Sequence, residues 1–270
     1  MTTSPRPIAL VTGATAGIGA EFASQLARLG YDLVLVARDR GRLDATAADL
    51  ADRFGASSEV LVADLHDRDA LARVEARLAD TERPVDYLVN NAGYGLNHEF
   101  DENPIDDEVR MLDLLATVPL RLTHAALGQM LPRRSGTVLT VASVAGFVPL
   151  GTYSAAKAWA LSFTRWANAY YRGTGVTVSA VAPGYVRTEF HERMGATRES
   201  MAPDAMWLNA EPVVTAALNA AGRGRAVSVP SVRYKLIVGA AVALAPVVGV
   251  LVARRGRQRR QVLATRTPRG

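Results

Sequence analysis

The stretch Ile8-Ala9-Leu10-Val11-Thr12-Gly13-Ala14-Thr15-Ala16-Gly17-Ile18-Gly19 sets a pattern that the rest of the chain repeats. Ile8 to Thr12 is a short apolar run that ends in glycine, as a buried strand does before a tight turn. After the glycines, Ile18, Phe22, Leu26 and Leu29 recur at spacings of three or four, which is the apolar stripe of a helix, and Gly30 closes it.

Working outward, Leu33 to Ala37 and Val60 to Ala63 read as further buried strands, with a polar-faced helix from Arg42 to Phe54 between them. A helix from Leu71 to Thr81, a strand at Tyr87 to Val89 and a long helix near Asp107 to Leu131 follow. Then come a strand from Val138 to Val141, a helix from Tyr153 to Tyr171, a strand from Val176 to Val181 and a last strand at Ala226 to Pro230. Such alternation builds a parallel sheet with helices on both faces. The fold class is therefore α/β, with a doubly wound parallel sheet. A single domain spans residues 1–232, and an apolar segment with an arginine-rich tail fills 233–270. Between 189 and 212 the regularity loosens around Gly195, Pro203 and Pro212, a length typical of lids and binding loops.

Composition narrows the function classes. With 270 residues, 49% of them hydrophobic, the chain can bury a large core. It has no cysteine, hence no disulfide framework and no thiolate metal site. His66, His98, His124 and His191 lack metal-ligand spacing, so no metal is expected. The N-terminus lacks the longer apolar region of a secretory signal, which points to a cytoplasmic protein. The net charge of +5 comes from Arg254, Arg255, Arg257, Arg259, Arg260, Arg266 and Arg269, all in the last seventeen residues, so a nucleic-acid groove has little support and no nucleic-acid partner is expected.

Two segments carry chemistry. After the first strand, Gly13, Gly17 and Gly19 permit a sharp turn and let a diphosphate approach the backbone, while the helix beginning near Ile18 aims its amides at phosphate. Tyr153 and Lys157 are four residues apart and share a helix face, with Ser143 ten residues upstream at the end of an apolar run. A free phenol titrates near 10, and an ammonium one turn away would bring it toward the working range of an acid–base catalyst. Each pattern has an ordinary reading as well: Tyr153 packed and Lys157 solvated, Ser143 closing a turn.

Thr12 to Gly19, Asn90-Asn91-Ala92-Gly93, Tyr153 with Lys157 and Pro183-Gly184, in this order, resemble the short-chain dehydrogenase/reductase family over about residues 7–190. The resemblance implies a Rossmann-like sheet of about seven strands, a nicotinamide cofactor and carbonyl–alcohol chemistry, with residues 1–232 as the catalytic domain. Tyr153 would exchange the proton, Ser143 would hold the carbonyl oxygen, and Lys157 would lower the tyrosine and fix the nicotinamide ribose. Gly13, Thr15, Gly17, Ile18 and Gly19 would cradle the cofactor, Asp64 and Leu65 would meet the adenine, and Asn91, Ala92 and Gly93 would line the ribose side. Pro183, Gly184, Val186 and Thr188 would flank the nicotinamide. Asp64 and Thr188 could instead serve as helix caps.

At the end of the second strand Ala37 stands in the usual acidic place and Arg38 follows, which favours NADP (NADPH) over NAD because arginine pairs with a 2′-phosphate. An ordinary surface arginine is the alternative. Two departures from the family stand out. Leu115 takes the place of an asparagine commonly found in the central helix, and the Ser143 to Tyr153 interval is shorter than is frequent. A dinucleotide-binding protein that has lost turnover is therefore the rival to an oxidoreductase.

Phe190, Met194, Met201, Met206 and Trp207 form a soft apolar set suited to a ketoacyl, fatty or steroid-like substrate, or simply to packing within a lid. Leu236 to Ala253 is eighteen residues without a charge, about 27 Å as a helix at about 1.5 Å per residue, interrupted by Gly239, Pro246 and Gly249. Three readings compete for it: peripheral or inserted contact with the cytoplasmic face of a membrane through 236–260, an arm on a sister subunit, or a tail. The family resemblance implies a homodimer or homotetramer built through the long central helices.

Overall fold

The computed structural model describes residues 5–190 and 201–244; Met194 and the 245–270 part of the apolar segment and arginine tail lie outside the described residues. Seven strands form one sheet in the order β3-β2-β1-β4-β5-β6-β7, every neighbouring pair parallel. They are β1 (Ile8–Thr12), β2 (Asp32–Ala37), β3 (Ser58–Val62), β4 (Val85–Asn90), β5 (Gly136–Val141), β6 (Val176–Val181) and β7 (Val227–Ser228). The strand number is the one the family resemblance implies.

The helices are α1 (Gly17–Arg28), α2 (Arg40–Phe54), α3 (Arg68–Ala79), α4 (Ile105–Leu112), α5 (Val118–Arg133), α6 (Thr152–Tyr170), α7 (Ala210–Gly222) and α8 (Val232–Ala243). Side chains alternate across each strand, so β1 sends Ile8 and Leu10 into the core under α3 and α5 and Ala9 and Val11 into the core under α1, α2 and α7. The predominantly apolar strands follow from this, since both faces are covered. Phe22, Leu26 and Leu43 are fully buried on the second face, each stabilising the fold by about 1.5–3 kcal/mol.

Caps start the helices where the sequence turns polar. The Asp39 carboxylate accepts from the Arg42 amide and begins α2, and Asp67 accepts from the Ala70 amide and begins α3. Asp67 thus holds the capping place at α3 for which Asp64 was a candidate. α7 arises where the apolar spacing had loosened. Pro212 stands in its first turn, where the helix needs no amide from it.

The long central helix is interrupted between α4 and α5 by a π turn at Asp113–Thr117, with Leu115 in its middle. Such widened turns gather at functional sites. The strand order reverses between β1 and β4, and in open α/β sheets the ligand crevice lies beyond the C-terminal ends of the strands at such a reversal. Because all seven strands run the same way, the loops that follow them emerge along one edge.

Candidate active site

The floor of the crevice is the glycine turn. Gly13 and Gly17 have φ of +68° and +53°, in the region that disfavours a Cβ. A Cβ on Gly19 would overlap the Gly13 carbonyl, and one on Gly17 would come within 2.8 Å of the Thr188 side chain. Thr12 and Asn91 brace this turn from beneath. Thr12 Oγ1 accepts from the Asn91 and Ala92 amides at 2.9 and 3.0 Å, and Asn91 Nδ2 donates to the Thr12 and Gly13 carbonyls at 2.9 and 3.3 Å. The Asn91 side chain is thereby engaged in holding the turn, while Ala92 and Gly93 form the opposite wall with their backbone.

α1 begins at Gly17 without a side-chain cap and without an acidic residue in its first turn. Its leading amides, with Ile18 and Gly19 among the first residues, suit an anion. Arg38, exposed at the end of β2, lies within electrostatic reach of His66 and Tyr94. The Asp64 carboxylate accepts from the His66 amide at 3.1 Å, and the Leu65 side chain is buried in the core, so Leu65 presents backbone to the crevice. Glycines that a Cβ would block, an uncapped helix start and an exposed arginine together fit a dinucleotide carrying phosphate.

The opposite end of the crevice holds the titratable groups. Ser143 follows β5 and caps a short 3-10 turn at Val144–Phe147, its Oγ accepting from the Ala145 amide at 3.1 Å. Its side chain also lies beside Tyr153, in the first turn of α6, close enough to act on the phenol. Ser143 therefore closes the turn and contacts the phenol. Lys157, one turn further along α6, is buried, with Nζ donating to the Val141 carbonyl at 2.7 Å and lying 5.7 Å from the centre of the Tyr153 ring.

Burial pushes the Tyr153 phenol up to about 12, against the smaller lowering effect of the Ser143 side chain. Burial also brings the Lys157 ammonium down to about 8. The depression of the phenol expected from Lys157 is not among the causes that shift it; desolvation, which disfavours the charged form of both groups, dominates.

The shortened loop is accommodated by Gly146. A Cβ there would stand 2.7 Å from the Lys157 carbonyl carbon, so only glycine lets the 3-10 turn lie this close to α6. Leu115, where the family commonly has asparagine, is buried with Met111 and Ala156, and Tyr153, Tyr94 and Leu96 pack against that cluster. Apolar packing takes the place of a polar side chain beside the phenol.

The third wall follows β6. The Pro183 carbonyl accepts from the Val144 amide at 3.0 Å, joining this loop to the Ser143 turn. Gly184 lies flat against the Tyr234 ring, with no room for a Cβ. Val186 is a core residue bridged to Leu208, and Thr188 stands over Gly17 with Oγ1 accepting from the Phe190 amide at 3.4 Å. Of the apolar set, Phe190 approaches Tyr153 with ring centres 6.3 Å apart, whereas Trp207 is buried against Tyr185.

Sequence reasoning missed Arg42 and Glu189. The Arg42 guanidinium grips both Glu189 carboxylate oxygens at 2.9 and 3.2 Å and donates to the Thr15 carbonyl at 3.0 Å. It ties the glycine turn to the residue after Thr188. No motif spacing could reveal a contact between residues so distant in the chain.

Crevice, uncapped helix and a half-buried Tyr153 beside a buried Lys157 define a dinucleotide-binding α/β protein with an acid–base cluster. The short chain dehydrogenase family model matches residues 7–199, and the chain belongs to that family. A very-long-chain 3-oxoacyl-CoA reductase from Anas platyrhynchos is 35% identical over 189 residues, 67% of this chain and 60% of that protein. The corresponding Homo sapiens reductase is 29% identical over 73% of this chain and 64% of its own length. The chain thus spans less than two thirds of these relatives. Among solved structures, a short-chain dehydrogenase from Sphingobium yanoikuyae in complex with NADPH matches with a TM-score of 0.80 and 34% identity, covering 98% of this chain and 97% of that one. A bulky-bulky ketone specific alcohol dehydrogenase from Comamonas testosteroni matches with a TM-score of 0.75 and 29% identity, over 99% and 97%.

Proposed function

We propose that the protein is an NADP(H)-dependent oxidoreductase that interconverts a carbonyl and an alcohol on a lipophilic substrate. The observation that carries this reading is the grouping of Ser143, Tyr153 and buried Lys157, whose Nζ lies 5.7 Å from the Tyr153 ring centre, in the crevice where the sheet order reverses. The nicotinamide, when bound, supplies or accepts the hydride.

Tyr153 donates its proton to the developing alkoxide in reduction and takes it back in oxidation. A phenol held protonated by burial is ready for the donating direction. Ser143 steadies the carbonyl oxygen beside it. Lys157, anchored by Val141, fixes the ribose and replaces the proton that Tyr153 gives up. Gly13, Thr15, Gly17, Ile18 and Gly19 hold the diphosphate, and Thr188, standing over Gly17, holds the carboxamide.

Arg38 supports NADP over NAD, in keeping with the NADPH complex of the Sphingobium relative. Phe190 beside Tyr153, and relatives named for very-long-chain acyl and bulky ketone substrates, support a lipophilic carbonyl. A dimer or tetramer belongs to the same reading, through the exposed Ile105, Val109, Leu112 and Leu120 of α4 and α5.

The test is oxidation of NADPH against NADH with long-chain 3-oxoacyl thioesters and bulky ketones. Turnover with NADPH, lost by about a hundredfold or more in Tyr153→Phe with cofactor affinity kept, is the expected result. Tight NADPH binding with no turnover on any carbonyl would favour the rival reading, a dinucleotide-binding protein without catalysis. Leu115 beside Tyr153 is the observation on its side.

A further inference from the structure

Charge is divided sharply along the chain. Residues 1–211 hold 20 Lys and Arg against 26 Asp and Glu, whereas residues 212–270 hold eleven Lys and Arg and no Asp or Glu. α8 opens the C-terminal part of this cationic region. Its side chains Val232, Leu236, Ile237 and Val242, and Leu244 just after it, are exposed, and Tyr234 is its one buried residue among those described.

A helix apolar around most of its circumference is ordinarily covered, by protein or by lipid. At 12 residues α8 is about 18 Å long, well short of a bilayer's hydrocarbon core of about 30 Å. No helix among the described residues is long and apolar enough to cross a membrane. Lying in an interface is the geometry that its length allows.

Tyr234 decides where this helix sits. Its hydroxyl accepts from the Tyr185 amide at 3.1 Å and donates to the Met206 carbonyl at 2.8 Å, while its ring covers Gly184. Those three residues belong to the wall of the crevice and the base of the segment beyond it. α8 is therefore fastened beside the mouth of the candidate active site.

We propose that α8 is a docking surface for an anionic lipid bilayer, held by Tyr234 next to the catalytic crevice. Charge selects this occupant over a second copy, because two copies meeting through α8 would set Arg233 and Lys235 of each against the other. Lipid headgroups bearing negative charge pair with Arg233 and Lys235, and the acyl region receives Leu236 and Ile237. The placement beside the mouth rests on the proposed reaction; the docking does not. Vesicle binding and turnover can therefore fail separately.

The experiment uses the full chain and sedimentation with phosphatidylcholine vesicles, with and without phosphatidylglycerol. Binding to the anionic vesicles should be about tenfold or more tighter than to the neutral ones and should weaken with salt. Leu236→Asp with Ile237→Asp should weaken it about tenfold while leaving the melting temperature and NADPH binding unchanged, since both side chains are exposed. Equal binding to both vesicle types, no binding, or binding indifferent to the double substitution would overturn the proposal. So would a double variant that changes only the molecular mass in light scattering, which would assign the face to a second copy. Binding of duplex DNA in preference to anionic vesicles would overturn it as well.

Discussion

Replacing Lys157 by methionine tests the electrostatics of the crevice without knowledge of a substrate. Burial brings the ammonium from 10.5 to about 8 in the folded chain, and that gap corresponds to about 3 kcal/mol against folding at neutral pH. The sign follows from proton binding: between pH 8 and 10.5 the unfolded chain holds the lysine proton and the folded chain does not, so stability rises with pH through that window. From about pH 7 to about pH 9.5 the wild type should recover about 2 kcal/mol that the methionine variant has no means to recover. Loss of the bond to the Val141 carbonyl shifts the variant by about 1 kcal/mol at every pH, so it leaves the slope untouched. Burial of the Tyr153 phenol, raised from 10.0 to about 12, acts in the opposite sense but only above pH 10, and it is common to both proteins. Urea denaturation of wild type and Lys157→Met across this range gives the difference directly. A difference that stays constant with pH, or moves against the wild type as pH rises, would refute a lysine driven toward neutrality by burial.

Three further outcomes follow from contacts around the crevice. Arg42→Ala should loosen NADPH by about two- to fivefold, the range open to a half-exposed ion pair; the exchanged pair Arg42→Glu with Glu189→Arg should restore part of the loss in a fluorescence titration, and no restoration would deny the pairing a role. Gly146→Ala should lower kcat far more than it raises the KM for NADPH, because the added Cβ pushes the Ser143 turn off α6 while leaving the glycine turn alone; a changed KM with unchanged kcat would contradict this. Leu115→Asn should cost about 2 kcal/mol by placing an amide in the cluster of Met111 and Ala156, read as a fall of a few degrees in Tm. An unchanged Tm would show that Leu115 is not packed as described.

Much of the fold was legible because it is written in local periods. Alternating apolar runs gave β1 to β6 within a few residues, and the glycines after Thr12 carry their backbone reason in their identity, as their positive φ shows at Gly13 and Gly17. α7 escaped notice because Ala210 to Gly222 is rich in alanine and begins beside a proline, so it offers little contrast between faces. The π turn was equally silent, since inserting one residue into a helical turn leaves no mark in Asp113-Leu114-Leu115-Ala116-Thr117 beyond what an ordinary helix would contain.

The site was legible as a set of residues but not as a set of energies. Tyr153 and Lys157 share a face by spacing alone, and spacing led to an ammonium acting on a phenol. Spacing is silent about solvent, and burial moves both groups from their usual values, with Leu115, Met111 and Ala156 packed beside the phenol. The couplings that assemble the crevice are likewise long-range: Arg42 reaches Glu189, Gly146 admits the backbone of Lys157, and Tyr234 supports Gly184 and Tyr185. Each joins loops that follow different strands, and each exists because a parallel sheet delivers those loops to one edge. A sequence motif records what a loop contains, whereas the chemistry of this crevice depends on which loops the sheet order makes neighbours.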